Sequence, residues 1–218
     1  MKVVVFGANG GSGRATVQAL LQRGDQVRAF VRRPEAWGPV PPGLELEQGD
    51  VLQAGDVERA LAGVEVVIVT LGIRESALGV RLFGSRQTRI DVRSAGTELI
   101  IQGMKRRGLR RLLVQTTYGI GATEGRLPLL WRLIFALLLR PQIADSRVQE
   151  VAVQKSGLDW TLVQPVSLVD GPASGPAHSS GQGEVRGMAI ARAAVGAFLA
   201  DAARDPKWVG QSVALSGS

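Results

Sequence analysis

Residues 2–6, Lys-Val-Val-Val-Phe, form a short apolar, largely β-branched run closed by glycines. Such runs read as strands covered on both faces. Ser12 to Arg23 follows with Ala15, Leu20 and Leu21 at near-helical spacing, and Gly24 is a natural stop. The same alternation continues along the chain. Val27–Val31, Leu44–Glu47, Val64–Leu71, Arg111–Thr116, Asp159–Gln164 and Gln211–Leu215 read as strands. Asp56–Leu61, Thr88–Arg107, Leu127–Leu139, Asp145–Lys155 and Ile190–Ala203 read as helices, and Gly171–Gly183 as a Gly/Pro/Ser loop. Strand-helix alternation of this kind predicts a doubly wound parallel sheet with helices on both faces. No internal repeat or interdomain linker interrupts it, so residues 1–218 are expected to form a single α/β domain.

Composition narrows the chemistry. There is no cysteine, which excludes a disulfide scaffold, a thiolate metal site and a Cys nucleophile. This usage is compatible with a reducing, cytoplasmic setting. The lone histidine, His178, leaves a His-based zinc site or a Ser-His-Asp triad without its parts. Met1-Lys2 runs directly into the first strand, so no targeting segment is expected. The 127–139 stretch is only 13 residues long and contains Arg132, too short to span a bilayer that needs about 20 apolar residues.

The net charge is +7. Lys105, Arg106, Arg107, Arg110 and Arg111 form the densest basic run. It reads as cations at a helix C-terminus followed by a strand. No aromatic residues interleave to stack bases, so no specific nucleic-acid partner is expected.

The segment Gly7-Ala8-Asn9-Gly10-Gly11-Ser12-Gly13 joins the first strand to the first helix. Glycines here permit a tight turn, close approach of a pyrophosphate to the backbone, and close helix–strand packing. The helix N-terminus then offers unpaired N–H groups and partial positive charge to an anion. The second strand ends in Arg32-Arg33, where an NAD site usually carries an acid for the ribose 2′-hydroxyl. Two guanidinium groups instead suit a 2′-phosphate, which predicts NADP(H). Arg14 is placed to add to that field. Asp50-Val51 and Leu71-Gly72 close the third and fourth strands, where open α/β sheets bind ligands.

These residues resemble the atypical short-chain dehydrogenase/reductases of the NAD(P)H-binding, NmrA-like family, closest to the flavin reductase/biliverdin reductase B branch. The likeness is carried by GANGGSGR (7–14), VRRP (31–34), GDVLQAGDVERALAGVEVVIVTLGIR (49–74), QTT (115–117) and SGLDWTLVQP (156–165), and it thins beyond about residue 170. It implies a Rossmann-type sheet, one NADP(H) and a shallow substrate site over the nicotinamide, with residues 165–218 as the substrate-side part. The family's cofactor contacts would fall on Gly7, Asn9, Gly10, Gly11, Ser12, Gly13, Arg32, Asp50, Val51, Leu71, Gly72, Arg74, Gln115, Pro165 and Val166, and the reading of the strand ends adds Arg33 and Thr116 as cofactor-binding candidates.

The departures from the group matter as much. The Tyr-x-x-x-Lys pair of short-chain dehydrogenases is missing: Ala122 stands four residues after Tyr118, the one tyrosine. The branch's His after the sixth strand is missing too, since His178 falls in the Gly/Ser-rich loop. A flavin or quinone accepts hydride without such a pair, whereas an isolated ketone needs a proton donor at its developing oxyanion. Thr117 and Ser167 are the candidates near the reacting centre. Two readings stay open: a reductase acting on a small-molecule redox acceptor, and a non-catalytic NADP(H)-binding regulator or assembly factor. The apolar 127–139 helix reads as core, as a lid over an apolar substrate, as the contact for a homodimer or protein partner, or as a membrane-surface patch.

Overall fold

The structure, a computed structural model, describes residues 1–73, 88–129, 131, 137 and 139–217. The strands are β1 (Lys2–Phe6), β2 (Gln26–Val31), β3 (Leu44–Gln48), β4 (Val66–Val69), β5 (Arg111–Gln115), β6 (Asp159–Pro165), β7 (Ser167–Val169), β8 (His178–Ser180), β9 (Ala189–Ala191) and β10 (Gln211–Ser216). The helices are α1 (Gly11–Gln22), α2 (Ala54–Ala60), α3 (Val92–Arg106), α4 (Arg140–Gln154) and α5 (Arg192–Ala202). Eight strands form one sheet in the order β3-β2-β1-β4-β5-β6-β10-β8. All neighbours are parallel except β10 and β8. This is a Rossmann-type doubly wound fold, with the order reversing between β1 and β4.

The all-apolar strands explain why the sheet is covered on both sides. Val3 and Val5 face one core, which includes Val17 and Leu20 of α1 and Val195 and Leu199 of α5. Val4 and Phe6 face the other, against Val57 of α2, Ile100 and Met104 of α3, and Val153 of α4. Alternate residues of one strand thus serve two layers. The α1–α5 contact is tight because Gly196 lies against the backbone of Ala15, where a Cβ would sit 2.5 Å from the Ala15 carbonyl carbon.

Several sequence expectations shift. Residues 189–191 are strand, and the helix begins only at Arg192. The expected loop at 171–183 contains β8, so His178 is a strand residue paired with Ser216. Helix α4 begins at Arg140, five residues before the expected start at Asp145. The carboxylate of Asp145 instead serves α3: it accepts from the backbone N–H groups of Arg93 and Ser94 at 3.1 and 3.2 Å. It thereby satisfies donors that a helix start leaves open.

The basic run at 105–111 is mostly engaged within the fold. Arg106 and Arg107 pair with Glu58, and Arg110 pairs with Asp159. Arg111 donates to the Asp159 and Ala202 carbonyls and to Thr161 Oγ1. The expectation for the apolar 127–139 helix falls largely outside the described residues. Of those described, Leu127 is buried, Trp131 packs on the α1–α5 core, and Leu129 and Leu137 are exposed. No described helix is long and apolar enough to cross a membrane.

Candidate functional site

A cavity of about 720 Å³ opens along the C-terminal ends of β1 to β5. That size lies within the range of roughly 300–1,000 Å³ usual for small-molecule and cofactor sites. Its floor is the β1–α1 turn. Gly7 has φ +84°, and a Cβ there would lie 2.6 Å from the Thr70 carbonyl oxygen. Gly10 N–H closes the turn on the Gly7 carbonyl at 2.9 Å, and Arg14 N–H starts the helix ladder on Gly10 at 2.8 Å. Gly13 lies beneath the turn; a Cβ there would meet the Gly7 carbonyl oxygen and come within 2.8 Å of Ala8 Cα. The first-turn N–H groups of α1 have no carbonyl in their own helix and open toward an anion.

The walls follow strand by strand. Arg32 and Arg33 come from the end of β2, Asp50 and Val51 follow β3, Leu71 and Gly72 follow β4, and Gln115, Thr116 and Thr117 end β5. Together with Gly7, Asn9, Gly10, Gly11 and Ser12, these expected residues line one space. Arg32 Nη2 lies 3.4 Å from Thr88 Oγ1, to which it donates. Asp50 accepts from the Leu52 N–H at 3.0 Å, so one of its oxygens holds the turn. Arg14 donates to the Ala36 and Trp37 carbonyls and lies 4.5 Å over the Trp37 ring, tethering the loop after β2, and it also donates to Oδ1 of the lining residue Asn9 at 3.3 Å.

Other expected residues are placed differently. Pro165 ends β6, and its carbonyl accepts from Tyr118 N–H. Val166 is buried in the α1–α5 core. Ser167 does not line the cavity, whereas Leu168 does. Strand alternation in β7 sends adjacent side chains to opposite sides. Arg74 lies outside the described residues. Tyr118 is buried and donates to the Gly183 carbonyl at 3.1 Å, and burial pushes its hydroxyl above the ordinary range. No Tyr, Lys or His is found among the described lining residues.

The sequence reading missed Phe30, Thr70, Ile73, Thr88, Arg89, Val92, Arg93, Leu168, Asp170 and Arg192 as lining residues. Among the described residues, two lining side chains present buried atoms with no hydrogen-bond partner, Gln115 Oε1 and Arg93 Nη1. Burial lowers the Arg93 pKa, against a raising influence from Asp145. Among the described residues, five lining arginines face two lining aspartates, Asp50 and Asp170. The glycine turn, the orphaned polar atoms and this cationic excess fit a dinucleotide.

Behind β5 lies Glu150 of α4, buried and accepting from Thr116 Oγ1 at 2.6 Å and Gln164 Nε2 at 2.8 Å. Its Oε2 has no hydrogen-bond partner among the described residues. Burial raises its pKa, outweighing those hydrogen bonds and the attraction of Arg147. The fold therefore favours the neutral carboxyl. That contribution is complete below the ordinary Glu range and is lost as pH rises through the folded value. Glu150→Gln keeps an acceptor and removes the charge. Its melting temperature relative to the parent is expected to climb between pH 5 and pH 8, by roughly 2–4 °C for each kcal/mol that the charge costs. A difference that stays flat with pH contradicts this.

Residues 7–206 match the model of a family described as NAD(P)H-binding. A curated relative, sterol demethylase protein B from Methylococcus capsulatus, is 31% identical over 175 residues, covering 78% of this chain and 46% of the relative. This chain thus spans less than half that relative's length. Among solved structures, the anaerobillin reductase ChuY from Escherichia coli O157:H7 superposes with a TM-score of 0.78 at 23% identity, covering 99% of this chain and 96% of the other. A wide-type short-chain dehydrogenase/reductase from Veillonella parvula, in complex with NADP, superposes with a TM-score of 0.76 at 18% identity, covering 100% and 94%. At such identities the superpositions establish a shared fold.

Proposed function

We propose that this chain, which belongs to the NAD(P)H-binding family, is an NADPH-dependent reductase that delivers hydride to a flavin, quinone or similar aromatic acceptor. One observation carries the reading. The glycine turn and the two guanidinium-bearing residues after β2 line a single cavity whose described walls hold no Tyr, Lys or His.

Residues 7–13 hold the pyrophosphate on backbone amides, and Arg32 with Arg33 pairs the 2′-phosphate. Val51 and Asp50 take the adenine, the one by its apolar surface and the other as an acceptor. Leu71 and Gly72 leave room for the ribose, and Gln115 offers its orphaned oxygen to a donor on the ligand. Bound NADPH supplies the hydride. Thr117 offers a hydroxyl near the acceptor, and the accompanying proton comes from water. A conjugated ring tolerates that arrangement because its negative charge is delocalised as the hydride arrives; a simple ketone does not. Residues 165–218, through Leu168, close the substrate side of the same domain. The reductase name of one structural neighbour supports the direction of transfer.

A second reading, a non-catalytic NADP(H)-binding regulator, draws on the same lack of an acid-base pair. The two part on turnover. Steady loss of absorbance at 340 nm when FMN, riboflavin or menadione is added to protein and NADPH is expected of the reductase. Tight NADPH binding with no turnover across that panel favours the regulator.

A further inference from the structure

Arg192 opens α5, far along the chain from the glycine turn, yet its side chain lies directly on that turn. A Cβ built on Gly11 would come within 2.6 Å of Arg192 Cδ and 2.8 Å of its Nε. The missing side chain at position 11 is what lets the arginine lie there. The guanidinium is held at one end, with Nη1 donating to Asp170 Oδ1 at 2.7 Å. Both residues line the cofactor cavity. The Asp170 side chain is 92% exposed and that of Arg192 29% exposed. Exposed pairs of this kind contribute little to stability and are readily exchanged.

We propose that Arg192 is a clamp on the pyrophosphate, gripping it from beside Gly11 at the start of α1, and that Asp170 is its internal competitor. The inference rests on the NADPH-binding reading and deepens it. Gly11 begins α1, so a diphosphate seated on the first-turn amides lies beside the guanidinium. An arginine matches a diphosphate better than one exposed carboxylate, because it donates several hydrogen bonds in a planar fork. Binding exchanges Asp170 for phosphate oxygens. Asp170 thereby lowers affinity for the cofactor and keeps the arginine positioned when no nucleotide is present.

Titration of the full chain with NADPH and with adenosine 2′-phosphate, which lacks the diphosphate, separates the roles. Arg192→Ala is expected to raise the Kd for NADPH about 10-fold or more and to flatten its dependence on salt. It leaves adenosine 2′-phosphate binding unchanged. Asp170→Asn is expected to tighten NADPH binding. A parent that takes up no NADPH overturns the functional reading and the clamp together. A parent that binds while Arg192→Ala matches it overturns the clamp alone. Equal weakening of both ligands by Arg192→Ala overturns it as well, since that marks general damage to the cavity. Weakening by Asp170→Asn overturns the competitor role.

Discussion

Gly13→Ala is expected to lose NADPH binding by 100-fold or more and to melt roughly 2–12 °C below the parent. The added methyl meets the Gly7 carbonyl oxygen and lies 2.8 Å from Ala8 Cα. Both neighbours are backbone, so no side chain can swing aside. The turn must open, or α1 must lift from β1. Either movement costs about 1–3 kcal/mol of packing. Either also spoils the alignment of the amides that face the pyrophosphate, where each lost hydrogen bond to a charged group is worth about 1.5–3 kcal/mol. Gly55→Ala is the control. Position 55 lies in α2 with nothing within 4 Å of a Cβ. That change is expected to stabilise the chain by about 0.5–1 kcal/mol and to leave binding alone. Thermal melts and fluorescence titrations of the two variants decide the matter. A Gly13→Ala protein that melts and binds like the parent contradicts the packing described for the turn.

Arg32→Glu is expected to weaken NADPH by about 100-fold or more while leaving NADH unchanged or somewhat tighter. The guanidinium stands at the end of β2, on the cavity wall, with Thr88 as one of its partners. Losing a charge-assisted hydrogen bond costs about 1.5–3 kcal/mol, and bringing a carboxylate toward a phosphate adds repulsion. NADH carries a 2′-hydroxyl at that place, which a carboxylate can accept from. The preference between the two dinucleotides therefore inverts. Equal loss of both contradicts a role for Arg32 in reading the 2′ position, because it means that the substitution disturbs the cavity as a whole.

The parts of the site near the start of the chain were legible because local sequence builds them. An unbroken apolar strand, closely spaced glycines and a helix are contiguous, and their chemistry depends on the backbone. Arg32, Asp50 and Gly72 were legible for a related reason: each follows a recognisable strand, and every parallel strand delivers its C-terminal end to the same edge. What escaped comes from tertiary packing. Arg192 is read from sequence as part of one helix from 190 to 203, yet Ala191 is extended and the helix starts at the arginine. Strands of three residues such as β7 and β9 are too short to show period-two alternation, so the inward turn of Leu168 and the outward turn of Ser167 had no signal. Asp145 looks like the start of its own helix, but Pro141 had already opened that helix, and the carboxylate caps a different one. Pro165 and Val166, taken from the family likeness, stand here as the last residue of β6, paired with Leu215, and as the core residue that follows it.

NADPH is proposed to sit between the glycine turn and the two arginines that follow β2. Calorimetric titration of the unmodified chain with NADPH and, separately, NADH tests it most directly. The expected result is saturable one-to-one uptake of NADPH, with a Kd at least about 10-fold below that for NADH, as one charge-assisted contact provides. Equal affinities contradict the role given to the arginines, and no heat with either nucleotide contradicts the site itself.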